Sequence, residues 1–445
     1  MPIFSRRRLH SILEELAPHL SLAKRNDLSQ RLEHKNTKTA LAAEAELSML
    51  WAISHVAQMT NDPKLPNSSH RPDAASDDLF VSGRAVIEIR ALSDDSFSGR
   101  EAMERTANIV AGYADQVRKR AGQHLHFEFN ERSYWDKRYH RERCVDANFT
   151  LSAALKQQVR EWLTAPSWPD LDPVRIVEGQ TDVVVSWHKL TSRYWRVFSR
   201  MPPVAYDLKD NPVYKALEDK ADQIKGAAVG TIRCVFLVDA GCYLLRRLQP
   251  LGGVWEIGGD RIIWQALNDF QIDVVCVFSP FRVGQIGPNI VWHVTYFDSR
   301  TNVPAGEYDR LKRLSTILPR PRFEGYQARD HHRQGNFHPA ERGWYVGTSI
   351  AWKRGGAMTI KMSARLLQEY LAGRMDSATF QQHAFHNDRN HFHAQLVRGF
   401  TIQNVSFESR GLDEDDDTVV FELDFDWAAA SLKASKKRKA PGQES

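Results

Sequence analysis

No stretch of this 445-residue chain approaches the roughly 20 consecutive apolar residues that a membrane-spanning helix needs. The basic run Arg6-Arg7-Arg8 is not followed by an apolar segment, which argues against a secretory signal. Cysteine is scarce: Cys144, Cys234, Cys242 and Cys276 are widely spaced, form no CxxC pair, and three sit in or beside apolar strand-like runs. That speaks against a disulfide framework and for buried free thiols in a reducing, cytoplasmic setting. There is no Walker A loop, no GxGxxG opening a helix, no GxSxG elbow, no HExxH and no internal repeat, so nucleotide hydrolysis, dinucleotide redox chemistry and serine hydrolysis have no support. What is there is a globular composition, 42% hydrophobic and 26% charged, on a chain long enough for two or three domains. A net charge of +5 tolerates a polyanionic partner without demanding one.

The most informative segment runs from Asp77 to Arg90 and reads as a tight β-hairpin. Side chains alternate along a strand, so Ala85, Ile87, Ile89 and Ala91 form an apolar face while Glu88 and Arg90 share the other. A second carboxylate across the hairpin would complete a pair suited to a hard divalent ion, and the cation beside it suits a phosphate. Which acid faces Glu88 depends on register. A two-residue Ser82-Gly83 turn places Asp77 there, while a three-residue loop or a bulge places Asp78. Asp78, directly before Leu79-Phe80-Val81, ranks first, Asp77 second, and Asp73 of the Pro72-Asp73 pair third.

Upstream, Thr37 to Met59 lacks Gly and Pro and has helical apolar spacing. At about 100° per residue, Glu46 falls within about 40° of Ala42, Leu50, Ile53 and Ala57. A carboxylate on an apolar stripe needs a partner or a metal, whereas Glu44 points nearly the opposite way and reads as solvated. Downstream, Gly99 to Arg120 reads as a helix and His124 to Phe129 as a strand.

An acid, a strand, a Glu-x-basic triplet, an upstream helical acid and this order of elements resemble the PD-(D/E)XK nuclease superfamily over roughly the first third of the chain. The departure is Arg90 in place of lysine, which can hold a phosphate but stays protonated and cannot serve as a base. The resemblance implies a restriction-endonuclease-like mixed sheet flanked by helices, and Mg²⁺ or Mn²⁺ bound by Asp78 and Glu88 with help from Glu46. Arg90 would clamp a phosphate oxygen, and Gln116 on the following helix would orient the scissile phosphate. Edge-strand decoration by charged residues is the plainer account of the same motif.

Between Arg132 and Arg143, the cations Arg132, Lys137, Arg138, Arg141 and Arg143 interleave with Tyr134, Trp135, Tyr139 and His140. Cations for phosphates and rings for bases are the ingredients of a nucleic-acid surface. From Val174 onward, helices alternate with apolar strands, among them Ile232 to Val238 and Ile272 to Phe278, which argues an α/β region that either extends the first sheet or stands alone. Asn211-Pro212 reads as a helix N-cap followed by proline at the first helical position. Asp239, at a strand's C-terminal end, is a conceivable ligand but more naturally caps a turn.

Leu318-Pro319-Arg320-Pro321-Arg322 reads as a boundary, beyond which lie His331, His332, His338, His383, His386, His391 and His393. Their spacings match no zinc pattern, so a polar surface is the better account. Asp413 to Asp417 reads as a solvated acidic loop. The expected organisation is a basic segment over 1–36, a nuclease-like core over 37–150, an α/β middle region over 151–318, a smaller histidine-rich α+β domain over 319–430 and a disordered basic tail over 431–445.

The expected function is a Mg²⁺-dependent nuclease-like protein acting on DNA or RNA, with possible protein partners in a multi-subunit system and no membrane association. By fold-level analogy such a chain suits bacterial anti-phage defence or restriction. The alternatives are an inactive nuclease-like fold serving as a nucleic-acid-binding or assembly subunit, and a non-enzymatic scaffold.

Overall fold

In a computed structural model the chain divides into two compact units, one of Met1–Phe4 with Arg8–Asn336 and one of Ser5–Arg7 with Phe337–Ser445. The structure describes all residues except 1–2, 35, 98, 137, 190–196, 200–202, 251–255, 284–289, 330–347, 354–355, 386–389, 410–416 and 429–445. The chain opens with helices α1 (Arg6–Leu16), α2 (Leu22–Leu32) and α3 (Thr37–Val56). Strands β1 (Met59–Asn61), β2 (Ala74–Phe80) and β3 (Gly83–Leu92) follow as an antiparallel meander. Next comes an inserted module of α4 (Arg100–Val117), β4 (Leu125–Phe129), β5 (Glu131–Asp136), β6 (Arg138–Arg143), α5 (Ala153–Thr164), β7 (Val174–Glu178), β8 (Thr181–Trp187) and β9 (Val197–Ser199). The chain then returns through α6 (Pro212–Ile224), β10 (Ile232–Asp239), α7 (Tyr243–Arg246), α8 (Gly259–Asp269), β11 (Val274–Arg282), β12 (Ile290–Asp298) and α9 (Asp309–Ile317).

The main sheet has the order β1-β2-β3-β10-β11-β12, with β10 parallel to both β3 and β11. It is a mixed sheet flanked by helices, so the chain is of the α/β class. The central strands Ile232–Asp239 and Val274–Arg282 are covered on both faces, which is why they read as nearly unbroken apolar runs. Ala85, Ile87 and Ile89 pack with Leu47, Leu50 and Ile53 of α3 on one face. Val86, Leu92, Val235 and Leu237 pack with Val213, Leu217 and Ile263 of α6 and α8 on the other.

The helix and strand that follow the hairpin in sequence do not complete this sheet. α4 and β4 belong to the inserted module, whose own sheet has the order β7-β8-β4-β9 and its own core around Phe127, Phe129 and Val185. The main sheet is completed instead by α6 and β10, beyond the stretch of 37–150 expected to hold the whole core. α6 begins where Asn211-Pro212 places it, the Asn211 Oδ1 accepting the N–H groups of Val213 and Tyr214. Leu318 and Ala328 are part of the first unit's core, so the proline-broken stretch at 318–322 lies inside that unit and not at its edge. The second unit holds a four-stranded antiparallel sheet, β13 (Ser349–Trp352), β14 (Met358–Ser363), β15 (Phe400–Glu408) and β16 (Thr418–Phe425) in the order β13-β14-β16-β15. Its helices among the described residues are Ala364–Leu371, Ser377–Ala384 and His391–Arg398.

α3 is buried nearly all round, with β3 packed on it, α2 on its Glu46 side and the N-terminal residues Ile3 and Phe4 at Glu44. Glu44 is therefore fully buried and not solvated, with one carboxylate oxygen accepting the N–H groups of Ile3 and Phe4. Burial pushes its pKa up to about 7 against the pull of those two donors. A carboxyl raised in the folded state costs nothing below its ordinary pKa of 4.5 and its full penalty above about 7. Between about pH 5 and pH 8 the parent protein should lose on the order of 3 kcal/mol more stability than Glu44→Gln. Denaturant titrations of both proteins across that range check this, and parallel pH profiles would refute it.

Candidate active site

The site is built where β2 and β3 part. Ala74 pairs with Ile87, Ala75 with Val86 and Ser76 with Ala85, so continuing the ladder by one residue sets Asp73 opposite Glu88. The register is set by a bulge, since Asp77, Asp78 and Leu79 lie between the pairs Ser76–Ala85 and Phe80–Gly83. Ser76 closes it locally, its Oγ accepting the N–H groups of Leu79, at 3.1 Å, and Asp78. The bulge uses Asp78 as an anchor: its carboxylate accepts the Gln58 N–H at 2.8 Å and pairs with Arg310 at 2.7 Å. Asp77 is exposed and pairs with Arg84. Neither is brought to Glu88. The third-ranked acid, Asp73, is.

Asp73 Oδ2 accepts the N–H of Ile89 at 2.8 Å, a donor left unpaired where β2 ends. Glu88 is 1% exposed, on the face covered by α6 and not on a solvent-facing one. Lys220 of α6 hydrogen-bonds to Glu88 Oε2 and stands 3.8 Å from Asp73 Oδ2. The other Glu88 oxygen, Oε1, is buried and has no hydrogen-bond partner. Burial, and then the facing Asp73, hold the Glu88 pKa well above the usual carboxylate range, although Lys220 pulls it down. Arg90 shares the Glu88 face by alternation and is half-buried, its Nε without a hydrogen-bond partner.

Glu46 is buried and joins this group through cations of α2. Lys24 Nζ lies 2.7 Å from Glu46 Oε1, 3.3 Å from Asp62 Oδ1 and 3.5 Å from Asp73 Oδ1, and Arg31 pairs with the second Glu46 oxygen at 2.7 Å. Asp62 follows β1 with φ 45°, and apart from the glycines it shares a positive φ only with Arg120 among the described residues. Asp73, Glu88, Lys220, Lys24, Glu46 and Asp62 thus form one continuous chain of alternating charge. Gln116 is elsewhere: it is exposed on α4, in the inserted module.

Three members of the cluster were absent from the sequence reading, and two carry the signal that singled out Glu46. Lys220 lies on the buried stripe of α6 formed by Val213, Ala216, Leu217, Ala221 and Ile224. Lys24 is four residues before Leu28, which is itself four before Leu32, on the buried stripe of α2. A charged residue on an apolar helical stripe marks a buried partner. Asp62 carries no such signal, because its position depends on the turn after β1.

The donor set suits a hard divalent ion. Two carboxylates face each other, one with an oxygen that has no partner, and Mg²⁺ is commonly held by one or two carboxylates with water and phosphate completing its shell. Among the described residues, no three His, Cys, Asp or Glu side chains are spaced to hold a metal ion as they stand.

The basic-aromatic segment forms the two-stranded sheet β5–β6. Two of its cations are engaged: Arg132 pairs with Glu142 at 2.8 Å, and Arg141 with Glu131 and, at 2.7 Å, with the hydroxyl of Tyr206. Arg143, half-buried at the hairpin base, has a pKa lowered to about 10 by burial and by Arg100. Tyr134 stacks on His140, and Trp135 is 65% exposed. Lys137 lies outside the described residues, as does the side chain of Arg138. In the second unit His393 is exposed, whereas His331, His332, His338, His386 and the side chains of His383 and His391 fall outside the description. The acids of 413–416 and the tail 431–445 do so too. Asp239 caps the turn into α7, one carboxylate oxygen accepting the N–H groups of Gly241 and Cys242. The four cysteines are free thiols, three of them buried. No helix among the described residues is long and apolar enough to cross a membrane.

Comparison of the chain with family models, with curated proteins and with solved structures finds no match.

Proposed function

We propose that this chain is a divalent-metal-dependent phosphodiesterase of the nuclease-like kind, acting on DNA or RNA, with Asp73 and Glu88 as the carboxylates that hold Mg²⁺ or Mn²⁺. The observation that carries the reading is the convergence of Asp73, Glu88 and Lys220 where β2 and β3 part, with Arg90 on the same strand face. Asp73 replaces Asp78 in the expected ligand set, and Lys220 supplies from α6 the lysine that the Glu-x-Arg triplet lacks. The bound ion would lower the pKa of a water and stabilise charge on the phosphate. Arg90, with its unpartnered Nε, would hold a non-bridging oxygen as the charge on phosphorus increases. Lys220, hydrogen-bonded to Glu88, is placed to neutralise the same charge or to move a proton. The mixed sheet with β10 parallel to β3 and the helix α3 behind it is consistent with a restriction-endonuclease-like core. A role in anti-phage defence or restriction, with protein partners, extends this reading by analogy.

Cleavage of single- and double-stranded DNA and RNA, with Mg²⁺ or Mn²⁺ and with EDTA as control, tests the proposal. Metal-dependent cleavage supports it. Tight nucleic-acid binding without any cleavage supports the second reading, an inactive nuclease-like binding or assembly subunit. The engagement of the acids by lysines favours that alternative.

The hairpin β5–β6 would serve as a nucleic-acid contact mainly through the exposed Trp135 and the Tyr134–His140 stack, since Glu131 and Glu142 already neutralise Arg141 and Arg132. Glu131→Gln combined with Glu142→Gln should free both cations for phosphates and steepen the dependence of log K on log salt by about 0.9 per new contact. An unchanged slope in fluorescence-anisotropy titrations would remove the hairpin from the interface.

A further inference from the structure

Lys24 lies outside the β-meander, on a helix that the nuclease resemblance does not include, yet it is the most heavily contacted cation of the cluster. Its ammonium has carboxylate oxygens of Glu46, Asp62 and Asp73 at 2.7, 3.3 and 3.5 Å. The Lys24 side chain is 13% exposed and those of Glu46 and Asp73 are 11% and 15% exposed, so little water screens these contacts. Burial opposes the charged form, but Glu46, Asp73 and Asp62 outweigh it and hold the Lys24 pKa above its ordinary value. Three acids from three segments of chain around one cation constitute a cation site whose occupant is part of the chain. The oxygens stand at ammonium distances, well beyond the roughly 2.0–2.1 Å at which Mg²⁺ binds oxygen.

We propose that Lys24 is a positioning residue, a built-in cation that takes the place a second divalent ion would otherwise have beside Asp73. Lys24 engages Asp73 Oδ1 while Ile89 N–H and Lys220 engage Oδ2, so the carboxylate is held from both sides and faced toward Glu88. The strained backbone of Asp62 fits this role, because a residue held at positive φ persists where its surroundings over-determine it. Its carboxylate is turned to Lys24 at the same level of the sheet as Asp73, to whose carbonyl the Asp62 N–H points. α2 is thereby part of the active centre. The proposal rests on the preceding reading for the ion at Asp73 and Glu88, but its own test does not.

The test is the number of Mn²⁺ ions bound per chain, measured by isothermal titration calorimetry and by electron paramagnetic resonance of free Mn²⁺. The full-length parent is expected to bind one ion, and Lys24→Ala two, because removing the ammonium leaves Glu46 Oε1, Asp62 Oδ1 and Asp73 Oδ1 facing one another without the cation between them. Lys24→Ala combined with Glu88→Gln should keep one ion, whereas Lys24→Ala combined with Glu46→Gln and Asp62→Asn should lose the added one. A parent that binds no ion while Lys24→Ala binds one would sink the metal-dependent reading and leave the Lys24 inference standing. A parent that binds one ion while Lys24→Ala gains none would do the reverse. If Lys24→Ala is too unstable to titrate, Mn²⁺ should raise its Tm in proportion to log concentration, and Lys24→Gln should behave alike. Failure of Mn²⁺ to restore either variant overturns the proposal. A merely structural lysine would change Tm without creating a binding site.

Discussion

Glu88→Gln is expected to reduce metal-dependent cleavage by about 10²–10³-fold or more, the loss typical of removing one group that stabilises developing charge. It should also abolish Mn²⁺ binding by the parent site while leaving the fold intact. Glutamine is chosen because Glu88 is buried: its carbonyl can accept the Lys220 hydrogen bond, and its amide can donate towards Asp73 from the position of the unpartnered Oε1. Alanine would be a poorer test. It would leave Lys220 without its closest acid partner in a buried setting, a loss that costs about 3–5 kcal/mol where one member of a buried ion pair is removed. Cleavage that survives Glu88→Gln would move the reaction away from this site, and unchanged Mn²⁺ affinity would remove Glu88 as a ligand.

Lys220→Met should lower stability by an amount that grows with pH. The substitution leaves the buried Glu88 facing the half-buried Asp73. Glu88 already titrates well above its ordinary value of 4.5 through burial and through Asp73, and Lys220 is the group that pulls it down. Without Lys220 the folded state prefers a protonated Glu88 still more strongly. A carboxyl raised in this way costs nothing where it is protonated in both folded and unfolded chains, and its penalty grows as pH rises above the unfolded value. The deficit of Lys220→Met should therefore be small near pH 5, grow only once pH passes the parent's own Glu88 value of about 8, and reach on the order of 1 kcal/mol near pH 9. Calorimetric scans at several pH values check this. An equal deficit at both ends would show that Lys220 contributes packing and not charge. Cleavage should fall as well, and Lys220→Arg should recover stability better than activity, because arginine keeps the charge but cannot act as a base.

The helix-strand alternation, the apolar strands at Ile232 to Val238 and Ile272 to Phe278, the Asn211 cap and the opposite facing of Ile87 and Glu88 were all determined by the sequence alone. Each depends on periodicity or on a cap, properties written within one or two turns of chain. So was the burial of Glu46, and the same stripe rule applied to α2 and α6 would have exposed Lys24 and Lys220 as buried cations. What only the tertiary structure decided is which charged groups meet. Asp73 faces Glu88 because Ser76 closes a bulge that takes Asp77 and Asp78 out of the ladder, and a period-two pattern does not reveal where a bulge falls. Glu44 is buried because the N-terminal residues Ile3 and Phe4 fold back over its side of α3, a face that the helix's own spacing assigns to solvent. The α4–β9 module interrupts the main sheet because parallel pairing of β3 with β10 requires only a crossover, and its length is free. Lys220 reaches Glu88, and Lys24 reaches Asp73, across separations that no local pattern encodes. Buried charge must find its counter-charge wherever packing brings one, and in this chain packing brings it from the helices on either side of the sheet.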